Sequence, residues 1–87
     1  MKADVAIVIV SYNSEDHIGA CLESVFAQRK SVNQQVIVVD NGSTDSSYEI
    51  AQRYGATTLR HPDLRVGGLR NRGVEIASGE LLAFVDS

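Results

Sequence analysis

Residues 36–45 read VIVVDNGSTD, and this stretch constrains the fold more than any other. A run of β-branched residues goes straight into an acid, an Asn-Gly pair and a Ser-Thr-Asp cluster. No polar residue interrupts the run at 36–39, so it reads as a strand buried on both faces. Asn41-Gly42 supplies a turn, because Gly takes positive φ at little steric cost. Ser43 is then placed to cap a helix, with Thr44 and Asp45 in its first turn. Asp40 therefore stands at the carboxyl end of a central strand, beside a helix start. In open α/β sheets ligands bind at that edge. Asp40 is either a ligand contact or a turn-former.

The same alternation runs through the rest of the chain. Residues 5–10 (VAIVIV) form a second uninterrupted apolar run, hence another buried strand. Asn13 or Ser14 can cap the helix that follows, with Glu15 and Asp16 favouring its positive end. Ile18, Cys21, Leu22, Val25 and Phe26 then recur at helical spacing, and the pattern fades near residues 28–30. A polar link at 31–35 leads into the central strand. After the 40–45 turn comes a helix of about three turns with Ile50, Ala51 and Tyr54 inward, closed by Gly55. Residues 56–59 suit an outer strand, and 60–65 form a loop with the only proline. A glycine-weakened helix is expected to start near Gly68 and to close at Gly79. Residues 81–85 (LLAFV) form the last strand, and Asp86-Ser87 follow.

Strands alternating with helices give an α/β fold, βαβαβαβ, with a mainly parallel sheet, right-handed crossovers and helices on both faces. In such a sheet the segments after successive strands gather at one edge. Tyr12, Asn13, Asp40 and Asp86 are thus expected together. The last strand is as apolar as the central ones and needs a neighbour on each side. The 87 residues are therefore expected to be the first part of a longer domain, with a sheet edge open to pairing with another chain.

Composition narrows the function classes. A net charge of −3 argues against general nucleic-acid binding. The short β-branched run near the N-terminus, followed by acids, is a strand and not a signal peptide. One cysteine, Cys21, on an apolar helical stripe, is a core residue and fits a reducing compartment. His17 has no paired Ser or Cys. No glycine-rich phosphate loop is present: the first strand ends in Ser11-Tyr12-Asn13-Ser14. A bound nucleotide would need its diphosphate neutralised by other means, and a divalent metal on strand-end carboxylates such as Asp86 is the natural alternative. Asp40 could then accept hydrogen bonds from a base N–H or from ribose hydroxyls.

The motifs V-S-Y-N, V-V-D-N-G-S-T-D, R-N-R-G and G-E-L-L-A-F-V-D-S occur in that order along nearly the whole chain. Together they resemble the N-terminal half of a family 2 glycosyltransferase, which has the GT-A fold. The resemblance implies transfer of a sugar with inversion, from a nucleotide-diphosphate donor, UDP- or dTDP-linked, to a glycan or lipid-linked acceptor, with Mg2+ or Mn2+. It implies that Asp40 contacts the base, with Asn41 and Gly42 beside it. Ser11, Tyr12 and Asn13 would line the nucleotide pocket, and Arg70 and Asn71 would lie near the donor. A D-x-D metal motif would begin at Asp86, with Ser87 in its middle. No catalytic residue is assigned within these residues, so the chain alone is expected to be inactive. The parent protein is expected to be cytoplasmic or peripheral at the inner face of a membrane.

Plainer readings stand beside these. Asp40 could only shape an Asx turn, Asn13 could only cap a helix, and the Tyr12 ring could only pack on its loop. Of the basic residues near the third helix, Arg70 is the one expected at a ligand. Arg60, Arg65 and Arg72 are expected on a solvated face, and His61 in a surface loop. The rival from another class is a flavodoxin-like or receiver-like Mg2+-binding module. That fold usually carries a lysine at a later strand end, whereas Lys2 and Lys30 both lie in the first third.

Overall fold

Two β-branched runs pair in the centre of the sheet, as their uninterrupted apolarity requires. In the computed structural model, which describes residues 5–27, 34–63, 65–77 and 81–86, these are β1 (Val5–Ser11) and β2 (Gln34–Asp40). The other elements are α1 (Ile18–Ala27), α2 (Ser47–Arg53), β3 (Thr57–Arg60), α3 (Val66–Ile76) and β4 (Leu81–Asp86). Every pairing is parallel, and the strand order is β3-β2-β1-β4. The α/β reading is thus correct, with the short Thr-rich β3 as an outer strand.

Alternation along the strands sorts the core into two layers. Ile7, Ile9, Val36 and Val38 face Ile18 and Leu22 of α1 and Ala51 of α2. Val8, Ile37 and Val39 face Leu69 of α3 on the other side. Helices therefore cover both faces. Each fully buried Val, Ile or Leu side chain contributes about 1.5–3 kcal/mol, so this double layer holds the strand ends in fixed positions. Cys21, expected in the core, is half-buried and packs against the first layer from its margin, and burial pushes its thiol up.

Several bounds differ from expectation, each for a tertiary reason. Gln34 and Gln35 belong to β2 and not to a link, because β1 pairs with them through Val5 and Ala6. α1 begins at Ile18, after a turn over 15–17. α2 begins at Ser47 and spans 7 residues, nearer two turns than three. Gly55, at φ 85°, ends it as expected. α3 starts at Val66, ahead of Gly68, with Leu69 N–H donating to Arg65 O at 2.9 Å. The helix overrides the propensity of its glycines because Gly73 lets it lie close on Val8 and Val39. The stretch 28–33, Gly79 and Ser87 lie outside the described residues.

Candidate nucleotide-binding edge

Parallel topology sends the chain out of β1, β2 and β4 at one edge. Ser11 is in register with Asp40, and Val10 with Asp86. From β1 the chain moves outward through β2 to β3, then returns to the other side of β1 as β4. The switch point of the sheet is therefore at the end of β1, where ligands bind in folds of this kind.

The segments after β1 and β2 are laced together. Three successive backbone N–H groups donate across the gap: Asn13 to Ser43 Oγ at 2.8 Å, Ser14 to Ser47 Oγ at 2.7 Å and Glu15 to Asp45 Oδ2 at 3.1 Å. The return bonds run from Thr44 N–H to Asn13 Oδ1 at 2.8 Å and from Ser46 N–H to Glu15 Oε2 at 3.1 Å. Asn41 N–H also donates to Ser11 O at 2.8 Å. Asn13 sits at φ 46°, a left-handed conformation that Asn tolerates better than most residues. Its carboxamide oxygen serves the facing loop. Desolvation pushes the Asp45 carboxyl up, but hydrogen bonds from the Ser47 hydroxyl and from backbone N–H groups of Ser47 and Glu15 together hold it below its ordinary value.

Asp40 is 0 % exposed. Its Oδ2 accepts from Ser43 N–H at 2.8 Å, and its Oδ1 accepts from the Ser43 hydroxyl. Ser43 thus closes an Asx-type turn with Asp40 and does not cap α2. The physical reason is that a buried carboxylate is costly without donors, and Ser43 is the nearest source of two. At the start of α2, Asp45 Oδ1 accepts from Ser47 N–H at 3.0 Å. Gly42 takes φ 77°, and a Cβ there would meet Pro62 Cβ at 2.7 Å.

Two residues expected at the solvated surface, Arg60 exposed and His61 half-buried, also make contacts at the edge. Arg60 is the last residue of β3, in register with Asp40, and its Nε lies 3.5 Å from Asp40 Oδ2. Its guanidinium also stacks 4.2 Å from the Tyr48 ring centroid. His61 N–H donates to Asp40 O at 2.8 Å, and His61 Nε2 accepts from Arg72 Nε at 3.3 Å. The sequence signal was a cation directly after an outer strand, which becomes legible only once β3 is placed beside β2.

The remaining candidates divide. Tyr12 is 57 % exposed at the edge, while Ser11 is buried beside Asp40. Ser11 Oγ is a buried polar atom with no hydrogen-bond partner among the described residues. Asn71 is exposed, and helical spacing turns it away from Leu69 and Gly73, which face the sheet. Arg70 lies in α3 and Asp86 ends β4, but their side chains are outside the described residues. Among the described residues no group of three or more His, Cys, Asp or Glu could hold a metal ion.

The geometry agrees with comparison to known proteins. The chain is 38 % identical over 88 residues to the putative glycosyltransferase EpsH of Bacillus subtilis, covering 95 % of this chain and 25 % of that protein. It thus spans about a quarter of that relative's length. The glucosyl-3-phosphoglycerate synthase of Mycobacterium tuberculosis, solved with Mn2+, UDP and phosphoglyceric acid, superposes with a TM-score of 0.82 at 26 % identity, covering 98 % of this chain and 33 % of that one. The mannosyltransferase PcManGT of Pyrobaculum calidifontis shares the fold, with a TM-score of 0.85 at 23 % identity over 99 % of this chain and 28 % of that one. The Glycosyl transferase family 2 profile matches residues 6–87, and the chain belongs to that family.

Proposed function

We propose that this chain is the donor-nucleotide side of an inverting glycosyltransferase, the N-terminal part of a larger GT-A domain. The donor is a nucleotide-diphosphate sugar, UDP- or dTDP-linked, and the acceptor a glycan or lipid-linked hydroxyl. The observation that carries the reading is Ser11 Oγ. A buried hydroxyl without a partner costs free energy, and this one lies at the switch point beside a buried carboxylate. Such a pair fits a ligand that both donates and accepts, as a pyrimidine base or ribose does. The exposed Tyr12 ring offers a face on which a base can stack. Asn13, Asn41 and Gly42 lie in the two loops at the same edge.

The UDP-bound relative supports this donor class. Arg70 and Asn71 are assigned to the donor's surroundings, and Asp86 to a metal ligand of the whole enzyme. Bound Mg2+ or Mn2+ would supply charge stabilisation of the diphosphate leaving group. The chain's own residues hold and orient the nucleotide, and the proton of the acceptor hydroxyl is taken elsewhere in the whole enzyme. The receiver-like alternative is disfavoured by the family match.

Ser11→Ala separates a ligand role from a packing role. Removing an unsatisfied buried hydroxyl leaves stability equal or higher. Loss of a ligand hydrogen bond lowers UDP affinity by about two- to tenfold. Calorimetric titration and thermal unfolding of both proteins test this, and UDP affinity unchanged in Ser11→Ala would contradict the reading.

A further inference from the structure

Three groups among the described residues cover the Asp40 carboxylate: Ser43 N–H, the Ser43 hydroxyl and the Arg60 guanidinium. They are held very differently. Ser43 is fixed within its turn, and its hydroxyl also receives Asn13 N–H. Arg60 stands at 3.5 Å, longer than a tight charge-assisted bond, and its side chain is 43 % exposed. A carboxylate offers about four lone-pair positions, and the two Ser43 donors take two of them among the described residues. With Asp40 at 0 % exposure, no ligand reaches the others while every cover is seated. Arg60 is the cover that can move.

We infer that Arg60 is a positioning residue that governs access to Asp40. Its guanidinium and a ligand's neutral donor, such as the imide N–H of uracil or thymine, compete for one carboxylate. This rests on the nucleotide reading given above. Tyr48 holds the guanidinium in its seat through the stacking contact. A small slide across the ring face opens Asp40 while the charges stay within Coulombic reach, because that attraction falls only as the inverse of distance. Arg60 thus limits the fraction of molecules competent to take a base, and apparent affinity falls by that fraction.

Titration with uridine, which carries no phosphate, isolates the contest at Asp40. Arg60→Met, which keeps the stem and removes the charge, is expected to bind uridine about fivefold more tightly than wild type. Tyr48→Leu is expected to shift affinity in the same direction by a smaller factor, and the double variant to gain no more than Arg60→Met alone. A residue that only props up Asp40 gives the opposite sign in both variants. Equal or weaker uridine binding by Arg60→Met and Tyr48→Leu, with native circular dichroism, overturns the inference. Asp40→Asn distinguishes the two levels. If it abolishes uridine binding while Arg60→Met fails to raise it, access control by Arg60 is wrong and the site stands. If Asp40→Asn leaves uridine binding unchanged, or wild type binds no uridine, the site assignment fails and the inference with it.

Discussion

Ser11 and Asp40 are neighbours in register, yet among the described residues the Asp40 carboxylate has partners and the Ser11 hydroxyl has none. The position of Asp40 is legible in the sequence, because an apolar run ends on it. Its partners are not. Ser43 has the spacing of a helix cap, and only the demand of a buried carboxylate draws it back to Asp40. Arg60 depends on the register between β2 and β3, which no local pattern encodes. Asp45 carries a prediction of its own. Its carboxyl is held below the ordinary value, so its ionised form is favoured in the folded state. That stabilisation is fully present above the unfolded value, about 3.9, and is lost as pH falls through the lower folded value. Asp45→Asn should therefore be less stable than wild type near neutrality, with the gap narrowing as pH falls through the lowered folded value. Urea midpoints across that range check it, and a gap independent of pH contradicts it.

Among the elements, each strand and helix is readable from periodicity, but where each starts depends on what it packs against. β2 extends back to Gln34 because β1 offers it partners. α2 waits until Ser47 because the preceding residues are committed to the lace between loops. The lace itself is invisible to periodicity, since every bond in it joins residues about thirty apart. α3 shows the contest between propensity and packing most sharply. Replacing a helix-interior Gly by Ala gains about 1 kcal/mol on propensity alone. At Gly73 the new Cβ would sit 2.5 Å from Val8 Cγ1 and 3.4 Å from Val39 Cγ2. Val is stiff at χ1 and cannot swing aside, so overpacking of about 1–3 kcal/mol wins. Gly73→Ala should unfold at lower urea than wild type. Gly67→Ala, with nothing within 4 Å of its Cβ, should not. Equal midpoints for the two variants would show that close approach of α3 is not what Gly73 provides.

On the scale of the molecule, the order β3-β2-β1-β4 does one thing of functional consequence: it places a switch point over Ser11. Helices on both faces seal the sheet, and the open ground is the carboxyl edge. There the lace fixes two loops, Asp40 lies under Arg60, and Ser11 Oγ lacks a partner among the described residues. Membership of family 2 supports the proposal that this edge is a donor-nucleotide site. The central claim is that Asp40 contacts the nucleotide as well as shaping its own turn. Calorimetric titration of UDP into wild type and Asp40→Asn tests it most directly, with circular dichroism confirming that both are folded. Asparagine keeps the size of the side chain but removes the charge and an acceptor. The expected result is a loss of UDP affinity of at least about tenfold, the scale of a hydrogen bond to a charged group. Equal UDP affinity in the two folded proteins would contradict the account.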